Sequence, residues 1–258
     1  VLKPDVAPRR LSTFDQRIGW LKAAGADEVV RLTPTREFLS QSPEQFIAAI
    51  VAQHKLQFIV EGADFHFGKG RAGSVRTLRE LEARHGYRTV IVDEVEAALT
   101  DQSLVRVGST MIRWLLERGR VSDAAALLGR PYEIVATVVR GDQRGRALGV
   151  PTANLAHGDF ILPADGIYAG TAVRPDGSCH PAAISIGTKP TFGELPRVCE
   201  AHLIGFDGPL DDYHWTICLR FDRWLRDQLK FTGVEPLIEQ LQRDIASVSN
   251  QSSLCTTS

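Results

Sequence analysis

Two folds in succession are predicted: an open, parallel α/β sheet, then a small antiparallel β-barrel with a C-terminal helix. Three observations predict this. Short strands alternate with helices through the first half, which is the pattern of a parallel sheet covered by crossover helices. Beyond Gly129-Arg130-Pro131 the apolar period changes from helical to alternating, with frequent turns, as in a small barrel. Leu237, Ile238, Leu241 and Ile245 then fall on one face of a closing helix, Val234 to Ile245. The expected divisions are an α/β domain over 1–128, a barrel over 129–247 and a polar tail over 248–258. A chain of 258 residues is long enough for two ordinary domains.

In order, residues 1–12 read as an irregular lead-in. Phe14, Ile18, Leu21 and Trp20 predict a helix from Phe14 to Ala24, stopped by Gly25. Glu28 to Leu32 reads as a strand. Ser42-Pro43-Glu44-Gln45 opens a helix through a capping box with proline at N1, and Phe46, Ile47, Ile50 and Val51 form its buried face. Gln57 to Val60 and Thr89 to Val92 read as strands on either side of a helix carrying Leu78 and Leu81, which Ser74 opens and Gly86 stops. The Gly62–Arg71 loop follows a strand, where ligands bind in such sheets. Ser109-Thr110-Met111-Ile112-Arg113 begins another helix, with Ser109 as N-cap and Arg113 one turn in; a plain cap and a phosphate site both fit. Asp64 and His66 read equally well as polar loop residues. A short helix spans Val121 to Leu128. Strands follow at Glu133–Val139, Ile167–Val173, Ala182–Ile186, Val198–Phe206 and Trp215–Phe221.

Composition narrows the partners. A hydrophobic fraction of 43% and a charged fraction of 24% are those of a globular chain. A net charge of −1 gives no electrostatic case for nucleic acid or an anionic membrane. No apolar run approaches the ~18 residues of a spanning helix, and residues 1–12 do not read as a secretory signal, so none is expected. Cys179, Cys199, Cys218 and Cys255 are scattered without a C-x-x-C pair, so they read as reduced thiols of a cytoplasmic protein rather than a zinc site.

The chemistry concentrates in Gly141-Asp142-Gln143-Arg144-Gly145-Arg146-Ala147-Leu148-Gly149-Val150-Pro151-Thr152-Ala153-Asn154-Leu155. Three glycines let the backbone bend tightly and approach a ligand. Successive amides in such a turn can cradle phosphate oxygens, and Arg144 and Arg146 add positive charge. Thr152 and Asn154 offer the hard oxygens that Mg²⁺ prefers. No Gly-Lys-Ser/Thr follows, so the loop is not a Walker A element. A Mg-nucleotide site and a glycine-rich hairpin with a basic rim are both consistent with these residues. Glu200 stands in a strand where Cys199, Ala201 and Leu203 share one face and Glu200, His202 and Ile204 the other. It is a candidate general base or a solvent-facing carboxylate.

Taken together, these runs resemble the bacterial bifunctional riboflavin kinase/FAD synthetase family. In that family's order stand Gly141 to Leu155, Leu162-Pro163 with Gly166-Ile167-Tyr168-Ala169, Ile186-Gly187-Thr188-Lys189-Pro190-Thr191-Phe192, Glu200-Ala201-His202-Leu203, Leu225-Arg226 and Lys230-Phe231. Gly62 to Gly68 is similar to its G-x-D-F-x-F-G, and Ser109 to Arg113 to its S-T-x-I-R. The resemblance implies a Rossmann-like nucleotidyltransferase (FMN adenylyltransferase) domain, incomplete at its N-terminus, before a riboflavin kinase barrel. It implies ATP and Mg²⁺, with riboflavin and FMN as the other small molecules, and leaves self-association open. Glu200 becomes the base. Gly141, Gly145, Arg146, Gly149, Pro151, Thr152 and Asn154 become ATP residues, with the metal on Thr152 and Asn154. Leu162, Tyr168, Thr191, Phe192, Leu225 and Arg226 become flavin residues. In the other domain Ser109 and Arg113 would hold ATP phosphates, with Asp64, Phe65 and Phe67 lining the flavin site.

Several positions depart from the pattern. The family's G-x-x-D-G-x-H-x-G-H element does not occur in these residues, so the FAD synthetase half is expected to be inactive and to expose a sheet edge. The chain opens on Val1, as expected of a fragment or a non-standard start codon. Gly108 for Ser and His66 for Arg are minor departures. Asp211-Asp212-Tyr213-His214 replaces a usual L-Y-G turn and is expected to be peripheral. The competing expectation is a non-catalytic flavin- or nucleotide-binding module.

Overall fold

The computed structural model describes residues 7–141, 143–188 and 197–250. It divides into two compact units. One holds Leu21–Val95; the other holds Pro8–Trp20 and the chain from Glu96 on.

The first unit is built on two strands. Helix α1 (Phe14–Ala23) enters it from the segment grouped with the second unit, and Gly25 takes φ +100° just beyond. A short helix α2 (Arg36–Ser40) precedes α3 (Pro43–His54), which opens as its sequence dictates: the Ser42 hydroxyl accepts from Gln45 N–H and the Gln45 side chain accepts from Ser42 N–H. Strands β1 (Phe58–Gly62) and β4 (Arg88–Val92) pair in parallel, joined by a crossover through helix α4 (Val75–His85). Between them β2 (His66–Phe67) and β3 (Gly73–Ser74) form a small hairpin. Ile47, Phe67, Leu78, Leu81 and Tyr87 make the core. Gly86 stops α4 in the left-handed region.

Two expectations fail in these helical stretches. Glu28 to Leu32 is not a strand; among the described residues no ladder pairs with it, and β-prone side chains without a partner are not enough to make one. Ser109 is not the N-cap of its helix. Gly108 is, at φ −175°, and Ser109 is the first helical residue.

The second unit centres on a closed six-stranded antiparallel barrel. A hairpin of β5 (Glu96–Ala98) and β6 (Leu104–Arg106) leads to helices α5 (Ser109–Leu116) and α6 (Val121–Leu128). Leu115, Leu116, Val121 and Leu127 join the same core as the barrel, so residues 96–128 pack with it. Next come β7 (Tyr132–Val139), one helical turn α7 (Arg144–Ala147), β8 (Ala153–Ala156), β9 (Gly166–Val173), β10 (Cys179–Gly187), β11 (Val198–Leu203), β12 (Thr216–Arg226) and helix α8 (Val234–Ser249). Around the barrel the order is β10-β11-β8-β7-β12-β9. Strand β8 is absent from the sequence reading because Pro151-Thr152-Ala153-Asn154 has the composition of a loop; barrel closure recruits it. Inward positions of β7, β10 and β12 carry Ile134, Ile184, Ile186, Ile217 and Leu219, all fully buried. Burying each such side chain contributes about 1.5–3 kcal/mol. The buried tyrosines keep their hydroxyls satisfied: Tyr132 donates to the Ile161 carbonyl at 2.7 Å and Tyr168 to Ala164 at 2.6 Å.

Candidate active site

The glycine-punctuated loop joins β7 to β8, and its three glycines have identifiable causes. A Cβ at Gly141 would fall on the Asn154 side-chain amide. One at Gly145 would fall on the Val150 carbonyl, 3.4 Å from Thr152 Oγ1. Gly149 sits at φ +75°, which L side chains rarely adopt. So Gly141 and Gly145 are small because the loop folds back against Val150 to Asn154. The amides of Leu148 and Val150 donate to the Gly145 carbonyl, at 3.1 and 2.8 Å, and that of Gly149 to Arg146. These three amides are used within the loop rather than held open for a phosphate.

The loop is braced from outside. Arg146 Nη1 donates to Asp211 Oδ1 at 2.8 Å, and Gln143 Nε2 to the Tyr213 hydroxyl at 3.0 Å. The Asp211–His214 segment, expected to be peripheral, therefore touches the loop through two of its side chains. No local signal in the sequence marks that contact, which is made across some 65 residues.

Register builds the rest. In the ladders, Asn154 of β8 pairs with Glu200 of β11, Glu200 with Ser185 of β10, Ser185 with Ile167 of β9, and Ile167 with Arg226 of β12. All five line one cleft of about 590 Å³. Side chains of paired residues share a face, with Cα atoms about 5 Å apart. The cleft floor is thus one row across five strands. Gly145, Thr152, Gln228, Lys230 and Phe231 also line it, with Leu237 and Leu241 of α8. Thr152, Asn154 and Gln143 also border a smaller cavity of about 70 Å³, walled by Phe206, Tyr213 and Trp215.

Glu200 is half-buried on the outward face of β11, while Cys199, Ala201 and Leu203 point inward and are buried. Burial, then the neighbouring Glu200 carboxylate, pushes the Cys199 thiol up to about 12, so it stays protonated and inert. His202, on the same face as Glu200, bonds through Nδ1 to the Pro151 carbonyl at 2.8 Å.

Other expected residues fall elsewhere. Leu162 and Tyr168 are barrel-core side chains; Tyr168 meets the Phe221 ring edge-on at 5.7 Å, and its neighbour Ile167 faces the cleft instead. Leu225 is not part of the cleft lining, although Arg226 is. Arg226 is engaged by the protein itself: Nε and Nη2 donate to the Asp244 carboxylate, the closest contact 2.6 Å, and Nη1 to the Asp227 carbonyl. Asp244, 7% exposed, also accepts from Gln240. Arg226 therefore fastens α8 to the cleft edge. Thr191 and Phe192 lie outside the described residues. In the first unit Phe67 is a core residue stacked on Phe65 at 5.5 Å, and Asp64 is exposed. In the second, Arg113 donates to the Arg9 and Ser109 carbonyls.

Among the described residues no three His, Cys, Asp or Glu side chains cluster to hold a metal. The Thr152 hydroxyl and Asn154 amide are a small, hard-oxygen donor set. Such a set suits a cation that keeps waters and shares a substrate's phosphates. No described helix is long and apolar enough to cross a membrane.

Comparison with known proteins gives a consistent answer. The family model for riboflavin kinase matches residues 128–252, and that for FAD synthetase matches 1–105. The bifunctional riboflavin kinase/FMN adenylyltransferase of Bacillus subtilis (strain 168) is 33% identical over 248 residues, covering 95% of this chain and 76% of that protein. The same-named protein of Escherichia coli (strain K12) is 30% identical over 241 residues, covering 93% and 75%. A crystal structure described as a macrolide-efflux protein from Streptococcus pneumoniae aligns with a TM-score of 0.81 at 27% identity, covering 98% of this chain and 81% of that one.

Proposed function

Since the chain belongs to the bifunctional riboflavin kinase/FMN adenylyltransferase family, we propose that its barrel cleft converts riboflavin and ATP to FMN and ADP. The observation that carries this reading is the register row: it pairs Glu200 with Asn154 in the larger cleft, and Asn154 and Thr152 also border the smaller cavity. The larger cleft suits a flavin and its ribityl chain. The smaller, aromatic-walled cavity would take at most part of the nucleotide, whose phosphates would then meet Thr152, Asn154 and the loop of Gly141, Gly145, Arg146 and Gly149. Phosphoryl transfer needs positioning and charge stabilisation more than covalent help.

In the reaction, Glu200 accepts the proton of the ribityl 5′-hydroxyl as its oxygen attacks the γ-phosphorus. The bond from that phosphorus to the β,γ-bridging oxygen breaks, and ADP leaves. A divalent cation, which we assign as Mg²⁺ on Thr152 and Asn154, offsets phosphate charge when bound. The half-buried setting of Glu200 limits the water that competes for its carboxylate.

For adenylyl transfer from ATP to FMN, giving FAD and diphosphate, we keep the assignments of Asp64, Phe65, Phe67, Ser109 and Arg113. The 258 residues contain no H-x-G-H sequence. A polypeptide of these residues is expected to form FMN but not FAD. The domain boundary of this reading stays at 128/129, although residues 96–128 pack with the barrel. Small molecules rather than nucleic acid fit the net charge of −1, and the three free thiols among the described residues fit the cytoplasm.

The test is product analysis with riboflavin, ATP and Mg²⁺. FMN should accumulate without FAD, and Glu200→Gln should lower turnover at least about a hundredfold with folding unchanged. Wild-type turnover from that variant would remove Glu200 from the chemistry.

A further inference from the structure

The ladder between β8 and β11 stops at Ala153–Ala201. Thr152 and Pro151 lie beyond it, without backbone pairing to β11, yet Thr152 borders both cavities. Proline has no N–H, so Pro151 could not have donated to a continued ladder; only its carbonyl is available. That carbonyl is met by a side chain of β11. His202, two residues after Glu200 on the same face, approaches it through Nδ1 at 2.8 Å. A carbonyl only accepts, so Nδ1 carries the proton. Upstream, the Val150 N–H is tied to the Gly145 carbonyl at 2.8 Å. Thr152 is therefore suspended between two anchors, the Ala153 ladder and the imidazole bond.

Resting on the kinase reading above, we propose that His202 is a positioning residue: its bond to the Pro151 carbonyl extends the β8–β11 pairing by one side chain and sets Thr152 at the height of the Glu200 row. His202 touches neither substrate in this scheme. It acts through Pro151 and Thr152, hence on the nucleotide and its cation rather than on the flavin. The Glu200 strand and the phosphate loop then move as one piece. A rigid link of this kind matters because misplacing a reacting group by about 1 Å costs on the order of a hundredfold in rate.

The experiment compares the full 258-residue chain with His202→Leu and His202→Asn by steady-state FMN formation, varying ATP, riboflavin and Mg²⁺ separately, with thermal melting alongside. Leucine fills the space without a donor. The asparagine amide nitrogen sits near the position of Nδ1 and can donate to the same carbonyl. His202→Leu should raise the KM for ATP roughly five- to tenfold, the factor that one ordinary hydrogen bond is worth. It should raise the half-saturating Mg²⁺ concentration in parallel and leave the KM for riboflavin within about twofold. His202→Asn should recover most of the ATP effect. A general loss of structure would move both substrates together and would not be rescued by asparagine; that pattern overturns the proposal, as does an unchanged ATP KM in His202→Leu. Absence of FMN from the unsubstituted chain would instead overturn the kinase reading itself.

Discussion

The two units treat the same apolar residue types differently. In the barrel every strand has two neighbours, and the inner faces of β7, β10 and β12 are sealed. In the first unit β1 and β4 have one neighbour each among the described residues. Their register places Phe58, Val60, Val90 and Val92 on one face, and these remain 42–57% exposed. Both segments alternate, and only closure separates a packed core from an open apolar surface. The difference also bears on where chemistry can be held to a fraction of an ångström. A ring of ladders fixes each residue from both sides, whereas a two-stranded sheet leaves one flank of every residue to loops.

That contrast can be tested by substitution. The largest expected effect is Leu219→Ala, in the sealed core, which should cost about 2–5 kcal/mol in urea unfolding. Asp244→Ala comes next. It would leave the Arg226 charge, only 18% exposed, without its carboxylate and should destabilise the barrel by about 3 kcal/mol. Amide exchange of α8 should accelerate first, and unchanged α8 protection would show that the ion pair is not what fastens the helix. Val60→Thr, on the open face, should change stability by no more than about 0.5 kcal/mol. A cost near that of Leu219→Ala would mean that this face is covered in solution.

The smallest effect is a pH dependence at the β5–β6 hairpin. Hydrogen bonds from the Ser103 hydroxyl and N–H, then from Arg120, lower the Asp101 carboxyl from its ordinary 3.8 to about 2. Arg120 also bonds Asp123 of α6, so the three side chains fasten the hairpin to the barrel unit. A depressed carboxyl stabilises the fold fully above about pH 4 and loses that contribution as pH falls toward 2. Asp101→Asn should flatten the acid dependence of melting slightly over that window. Identical acid profiles for the two proteins would detach the hairpin from the comparison.

Part of the candidate site is legible in the sequence. Thr152, Asn154 and Glu200 stand out by residue type and motif, and the alternation of β11 separates Glu200 from Cys199 on period alone. What could not be read depends on closure. Ser185 and Ile167 carry no chemical signal and join the cleft only because their strands pair in one register. Asp244 and Tyr213 reach the site from α8 and from a turn, by contacts that no local pattern encodes. Tyr168 was drawn to the flavin by its motif, yet strand parity sends it into the core. At Glu28–Leu32 the sequence reads as a strand, but among the described residues it has no partner.

Asn154, Glu200, Ser185, Ile167 and Arg226 form a single line that no strand can leave without turning its side chain to the opposite wall. A slip of one residue in β8, β10, β11 or β12 would turn Asn154, Ser185, Glu200 or Arg226 into the barrel core. Partly registered versions of the proposed active surface are therefore costly. On gentle heating, such a kinase should lose molecules from the active population while each survivor keeps its full turnover rate.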